Sequence, residues 1–332
     1  MSLHAVDDVG DAVEAAREFL FPVDRSRWLR LAVVAFFVAS GFGMNAPFNA
    51  GSGASNGGVQ TSPPSEFPDP LPDDFVLVIA VVVAAIALLA VLFGLLASIM
   101  EFVLVESLRE EAVHVRRYTR RYLGAGLRLF LFRLALFAVA VGIVLGVVFV
   151  AGPSGTVTEW TDEQVLSALF LVLPLLVILL PLVALLDGFT VDFVVPTAVL
   201  GEGSILGAWR RFAATLRGNL GQYAAYVLVK FFLSIVIGVL AATVTGIAAV
   251  LIAIPFLVVG LVAFFVGGTA FTIPVIAVLG ILGVVFVLLV IAVAALVQVP
   301  LQTFLRYYAL LVLGDTDADL DLIPERRAAI RE

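Results

Sequence analysis

Apolar residues along this chain form runs long enough to cross a bilayer, and the polar stretches between them are of two kinds: some rich in arginine, others acidic and without a base. Phe75 to Met100 is 26 residues without a charge. A helix rising ~1.5 Å per residue needs only about 20 apolar residues to cross a hydrocarbon core roughly 30 Å thick. Read in this way the chain predicts six spans, over about 28–48, 75–100, 127–151, 165–186, 222–250 and 272–299. Backbone groups in lipid must be satisfied internally, so the spans are helical. A β-barrel would need alternating segments of about 10 residues, which the uncharged runs do not show. The expected fold is all-α, a polytopic transmembrane helical bundle.

The pattern also divides the chain. Residues 1–27 form an amphipathic N-terminal segment, with Leu3, Val6, Val9, Val13, Ala16 and Leu20 on one side and Asp7, Asp8, Asp11, Glu14 and Arg17 on the other. It is acidic, and its apolar residues form no continuous core, so it reads as a surface helix and not a signal peptide. Pro22 ends it, and Arg25, Arg27, Trp28 and Arg30 make a basic and aromatic shoulder at the membrane. Residues 28–313 make one transmembrane domain, and 314–332 an acidic tail. In the fourth span Pro174 and Pro181 each remove an internal hydrogen bond, which predicts a bent or irregular helix. Between Phe231 and Leu305 lie 75 uncharged residues. Two long spans there leave Ile254 to Gly268, flanked by Pro255 and Pro274, as a re-entrant hairpin; four tight crossings are the alternative.

Composition agrees: 62% of residues are hydrophobic, 14% are charged and mean hydropathy is +1.15, which places the chain among membrane proteins. With no cysteine, disulfides, thiolate nucleophiles and zinc-thiolate sites are excluded. The 19 basic residues fall into four segments, with none in the loops around 46–74 and 152–163. By the positive-inside rule both termini face the cytoplasm. A net charge of -7, with one lysine, Lys230, among the bases, reads as a salt-adapted archaeal composition.

Two arginine-rich segments share a spacing, Arg116-Arg117-Tyr118 with Gly124 six residues on and Arg210-Arg211-Phe212 with Gly218 six residues on. The exits of the even-numbered spans also match: FVLVESLREE from Phe102, FVVPTAVLGEG from Phe193 and RYYALLVLGDTD from Arg306. These similarities predict three copies of a two-span unit that begins with a basic amphipathic helix. On the motifs VPTAVLGEGSILGAWRRFAATLRGN, GLRLFLFR and RYYALLVLGDTDADLDLIPE the chain resembles haloarchaeal multi-pass membrane proteins of unknown function, over nearly its whole length. More distantly it is similar to the membrane domain preceding some glycerophosphoryl diester phosphodiesterases. That resemblance implies a fold and a membrane location and carries over no catalytic residue.

The residues suggest no catalytic, cofactor-binding or metal site. His4 and His114 lack metal-ligand partners at helical spacing, and no buried histidine stands ready to activate Ser154. The carboxylates Glu101 and Glu106, and Asp187 and Asp192, are five residues apart and off a common helical face, as expected of partners for nearby arginines. Arg128, Arg133 and Lys230 are close enough to span ends to snorkel. The small-residue stripes Gly142 and Gly146, Ala90, Gly94 and Ser98, and Gly238, Ala242 and Gly246 are expected at helix contacts within the chain. Arg116, Arg117, Arg210 and Arg211 are expected at lipid headgroups, beside Tyr118 and Phe212. The partners expected are membrane lipids and no nucleic acid. The function expected is non-enzymatic membrane organisation, with a permease or exporter of an apolar or lipid-like solute as the alternative.

Tags at both termini are predicted to be cytoplasmic, and one placed within Gly51 to Gly58 external, in a protease-protection assay. A protected cytoplasmic N-terminus with an external C-terminus would overturn the even number of crossings.

Overall fold

The computed structural model describes residues 4–40, 73–153, 160–201, 204–267 and 273–331. The order is α1 (His4–Leu20), α2 (Arg25–Ala39), α3 (Asp73–Arg109), α4 (Val115–Ala151), α5 (Asp162–Phe189), a π-helical segment (Thr190–Val194), α6 (Val195–Leu200), α7 (Ile205–Gly218), α8 (Leu220–Gly267), α9 (Ile273–Thr316), a 3-10 turn (Ala318–Leu320) and α10 (Pro324–Arg331). No strand occurs among the described residues. The starts follow local chemistry: Asp24 accepts from the Ser26 amide at 3.0 Å, and Thr161 and Gln164 cap each other reciprocally at the head of α5.

Among the described residues five helices are long and apolar enough to cross a membrane: α3, α4, α5 with its continuation to Leu200, α8 and α9. This is a multi-pass membrane protein. The first expected span, 28–48, is described only through α2, and the loop of residues 46–74 and residues 154–159 lie outside the described residues.

The re-entrant hairpin expected over Ile254 to Gly268 is corrected, because α8 runs unbroken from Leu220 to Gly267. Pro255 lies inside it. A proline frees one carbonyl, but leaving the helix in lipid would free many more backbone groups. Partners on α9 also line this stretch: Phe256 meets Phe286 with ring centroids 5.7 Å apart, and a Cβ on Gly260 would lie 3.6 Å from Leu279. In the same way α5 continues through Pro174 and Pro181, and the irregularity expected there lies further on, at Thr190–Val194.

Packing is concentrated at the arginine-rich end. Ile99 to Leu108, Thr190 to Val199 and Arg306 to Leu313 are continuously buried, whereas at most 6% of the apolar window of any of the five long helices is buried. The bundle thus closes at one end and presents its apolar length to lipid. Each buried helix end is covered by an amphipathic helix through an aromatic pair. Phe102 stacks on Tyr122 of α4 at 5.5 Å, Phe193 stacks on Phe212 of α7 at 5.1 Å, and Tyr307 meets Phe19 of α1 edge-on at 5.9 Å. The third pair carries the first helix back onto the last span, since α1 packs along α9. Between α3 and α4 the backbones approach so closely that a Cβ on Gly126 would lie 2.4 Å from Ile99 Cγ1.

Of the small-residue stripes, Gly94 and Ser98 are buried, with Ser98 donating to the Gly94 carbonyl at 2.9 Å. The other two are corrected: an added Cβ on Gly142, Gly146, Gly238 or Gly246 meets nothing within 4 Å. Spacing brings small residues to one face, and tertiary packing decides whether a helix lies against it.

The acidic tail folds back on α1. Arg331 donates to Asp8 at 2.9 Å, Asp11 at 2.8 Å and Asp315 at 2.7 Å, while Arg327 pairs with Asp315 and Asp321, each at 2.8 Å. Burial, reinforced by the neighbouring charge of Asp315, raises the Asp8 carboxyl to about 7. The unfolded value is about 3.9. Over that window the folded chain holds a proton that the unfolded chain has released, so this contribution to stability is full below about pH 4 and lost as pH rises through 7. Thermal unfolding in detergent should therefore show the wild type losing several degrees between pH 5 and pH 8, with Asp8→Asn losing less; equal losses would show that Asp8 is not the titrating group.

Candidate functional site

The apolar length of each long helix ends in a charge just where the packed end begins. Glu101 stands on α3, Arg133 on α4, Asp187 on α5, Asp192 in the π segment, Lys230 on α8 and Arg306 on α9. All six meet in one network. Arg133 donates through Nε to Asp187 Oδ1 at 2.8 Å, and through its terminal nitrogens to Glu101 Oε1 and Ser98 Oγ, each at 3.4 Å. Arg306 binds Glu101 Oε2 and the Val191 carbonyl, and lies 3.9 Å from Asp192. Lys230 and the Tyr226 hydroxyl both donate to Asp192 Oδ2, the latter at 2.9 Å. Three carboxylates meet three cations, and the cluster is neutral.

The π segment has a local cause. The Val195 amide bonds back five residues to the Thr190 carbonyl, and Pro196, at the start of α6, has no amide to contribute to the turn before it. Trp209 of α7 donates to Thr190 Oγ1 at 3.2 Å, which fixes the widened turn. Asp187 and Asp192 therefore serve different cations, Arg133 and Lys230, within the same cluster.

Above this floor is a cavity of about 500 Å³. Its floor includes Glu101, Asp192, Tyr226, Lys230 and Arg306, with Ser234, Gln298 and Gln302 one or two turns higher. Its walls are Leu180, Pro181, Ala184 and Leu185 of α5, Phe231, Ile237, Gly238 and Ala241 of α8, and Val38 and Ala39 of α2. Among the described residues α5 packs on α4 and makes few contacts with α8 across the cavity. Apolar walls with a few convergent polar groups are the usual composition of a small-molecule site.

The carboxylates were expected to partner nearby arginines, and they do. The snorkelling expected of Arg133 is corrected: its side chain is 7% exposed and turns inward, because two carboxylates lie closer to it than solvent. The four arginines expected at headgroups are all exposed and form no ion pair among the described residues. Their aromatic neighbours are not beside them, since Tyr118 and Phe212 are fully buried. The Tyr118 hydroxyl donates to Glu110 at 2.5 Å, which holds that carboxyl below its usual range, so Glu110 serves Tyr118 and not His114. Among the described residues no group of three metal-ligating side chains is found.

Removing one partner of a buried ion cluster costs about 3–5 kcal/mol, because the opposite charge is left unpaired. Arg133→Met should therefore lower the detergent melting temperature sharply, and Arg133→Met with Asp187→Leu should recover most of the loss. A double variant no better than the single would show that Asp187 is not the charge left exposed.

The chain belongs to the family of unknown function DUF7544, whose model matches residues 3–323. No curated protein and no solved structure matches it significantly.

Proposed function

We propose that this membrane protein is a permease or exporter that takes a lipid-like amphiphile from the bilayer into the cavity between α5, α8 and α9. The observation that carries the reading is the cavity itself: apolar walls from α5 and α8, which make few contacts with each other, over a floor where Lys230 is still 18% exposed. A charge within reach of a span is costly unless it serves a pathway or a partner, and six ionisable groups gathered under one cavity suit an amphiphile's head. The reading is non-enzymatic. It places the arginine-rich end in the cytoplasm of a cell membrane, with both termini there, by the segregation of basic residues. The excess of acids fits high external salt.

A three-unit organisation supports the same site. Glu101, Asp192 and Arg306 each stand immediately before the aromatic that pairs with an amphipathic helix, Phe102, Phe193 and Tyr307. Three copies of one helix end would bring these positions to a common axis, where opposite charges can neutralise each other. The exposed Arg116, Arg117, Arg210 and Arg211 favour a second role in the same protein, holding the cytoplasmic face to anionic headgroups at about 1 kcal/mol per arginine.

A photoactivatable long-chain alcohol added to the protein in neutral detergent should label wall residues of α5 and α8. Gly238→Trp projects into the cavity from a position where an added Cβ meets nothing within 4 Å. It should cut that labelling severalfold while leaving the melting temperature near that of wild type. Equal labelling of both proteins would remove the cavity as the binding site.

A further inference from the structure

The floor of the cavity is polar, yet it is not a sink for charge. Glu101 and Asp192 line it beside Lys230 and Arg306, two of each sign. Arg133 and Asp187, which do not line it, close on each other at 2.8 Å. Every one of these ions has a counter-ion: Arg306 lies between Glu101 and Asp192 with 4% of its side chain exposed, and Lys230 is held by Asp192. An incoming anion would have to compete with Asp192 for Lys230 and would leave a surplus negative charge in a site largely shielded from water. An incoming cation would create the opposite surplus. Either surplus is penalised steeply where the dielectric constant is low.

The neutral polar groups fill out the picture. Gln302 donates to Gln298 at 3.2 Å, so the pair still presents an amide donor and an amide acceptor near the mouth of the floor. A head with separated plus and minus ends, or with hydroxyls, can satisfy donors and acceptors of both kinds without adding net charge. From this we infer that the cavity selects amphiphiles whose head group carries no net charge, a zwitterion above all. The inference rests on the amphiphile-binding reading and adds the class of head group to it.

The test is displacement of the photoactivatable alcohol from the full chain by three competitors with the same chain: hexadecylphosphocholine, hexadecyl phosphate and hexadecyltrimethylammonium, each below its own micelle concentration. In the wild type the zwitterion should displace the label at a concentration about tenfold lower than either ion, the discrimination worth about 1.4 kcal/mol. Asp192→Asn leaves the floor one charge positive, and the phosphate should become the strongest competitor. Lys230→Gln leaves it one charge negative and should favour the ammonium. The double variant restores neutrality and the wild-type order, which separates a charge effect from damage to the fold. Should a single variant fail to fold, the wild-type order alone decides. Displacement by all three at equal concentrations, or best displacement of the wild-type label by phosphate, overturns the head-group inference and leaves the amphiphile reading standing. Absence of label from the α5 and α8 walls removes both.

Discussion

An ion taken out of water must find its counter-ion, and the arrangement of this bundle follows from that requirement. Glu101, Asp187 and Asp192 cannot be buried singly, nor can Arg133, Lys230 and Arg306. Each satisfies another only when the helices carrying them stop at a common depth and turn the right faces inward. Such a cluster adds little net stability compared with an apolar core of the same volume. Its contribution is selectivity, because a helix shifted along its axis by one turn would strand a charge. The network thus fixes the register of α3, α4, α5, α8 and α9 at one end, and their apolar lengths need little mutual packing beyond it.

That division explains the distribution of burial. Apolar side chains gain nothing by leaving lipid for one another, so the hydrophobic effect does not draw the long helices together. At the arginine-rich end water competes, and there the aromatic pairs and the amphipathic helices α1 and α7 form a conventional core. The structure is a compact base from which five apolar helices extend, α3 against α4 and α8 against α9, and the cavity is the space left above the ions.

The sequence shows the first half of this and conceals the second. Runs such as Phe75 to Met100 display their spans directly, and Pro22 marks the end of α1 as expected. The route of α8 was hidden because Pro255 looks like punctuation, and in lipid the backbone continues through such a signal where a neighbour such as α9 supports it. The ion cluster was hidden for another reason. Arg306 and Glu101 are 205 residues apart, and no spacing rule for one helix connects them. A signal did exist: at each span exit a charge stands immediately before an aromatic, Glu101 before Phe102, Asp192 before Phe193 and Arg306 before Tyr307, and the signs are opposite. Read as one axis rather than as three helix ends, they would have announced a buried pair.

The lengths of α8 and α9 have a further consequence for the bilayer itself. Phe231 to Gly267 is 37 residues of α8 without a charge. At ~1.5 Å per residue it is about 55 Å long, against a hydrocarbon core of roughly 30 Å. To hide all of it by leaning, the helix would need a tilt near 55°, outside the range of about 0–40° that spanning helices adopt. Tilt alone does not absorb the difference. The membrane must swell around this hairpin, or the far tip must stand clear of the face opposite the arginines as a greasy spur. In the first case the lipids next to α8 and α9 live in a thicker bilayer than those next to α4, whose uncharged stretch from Leu134 to Ala151 is 18 residues; in the second the bilayer keeps its thickness and the apolar tip meets water.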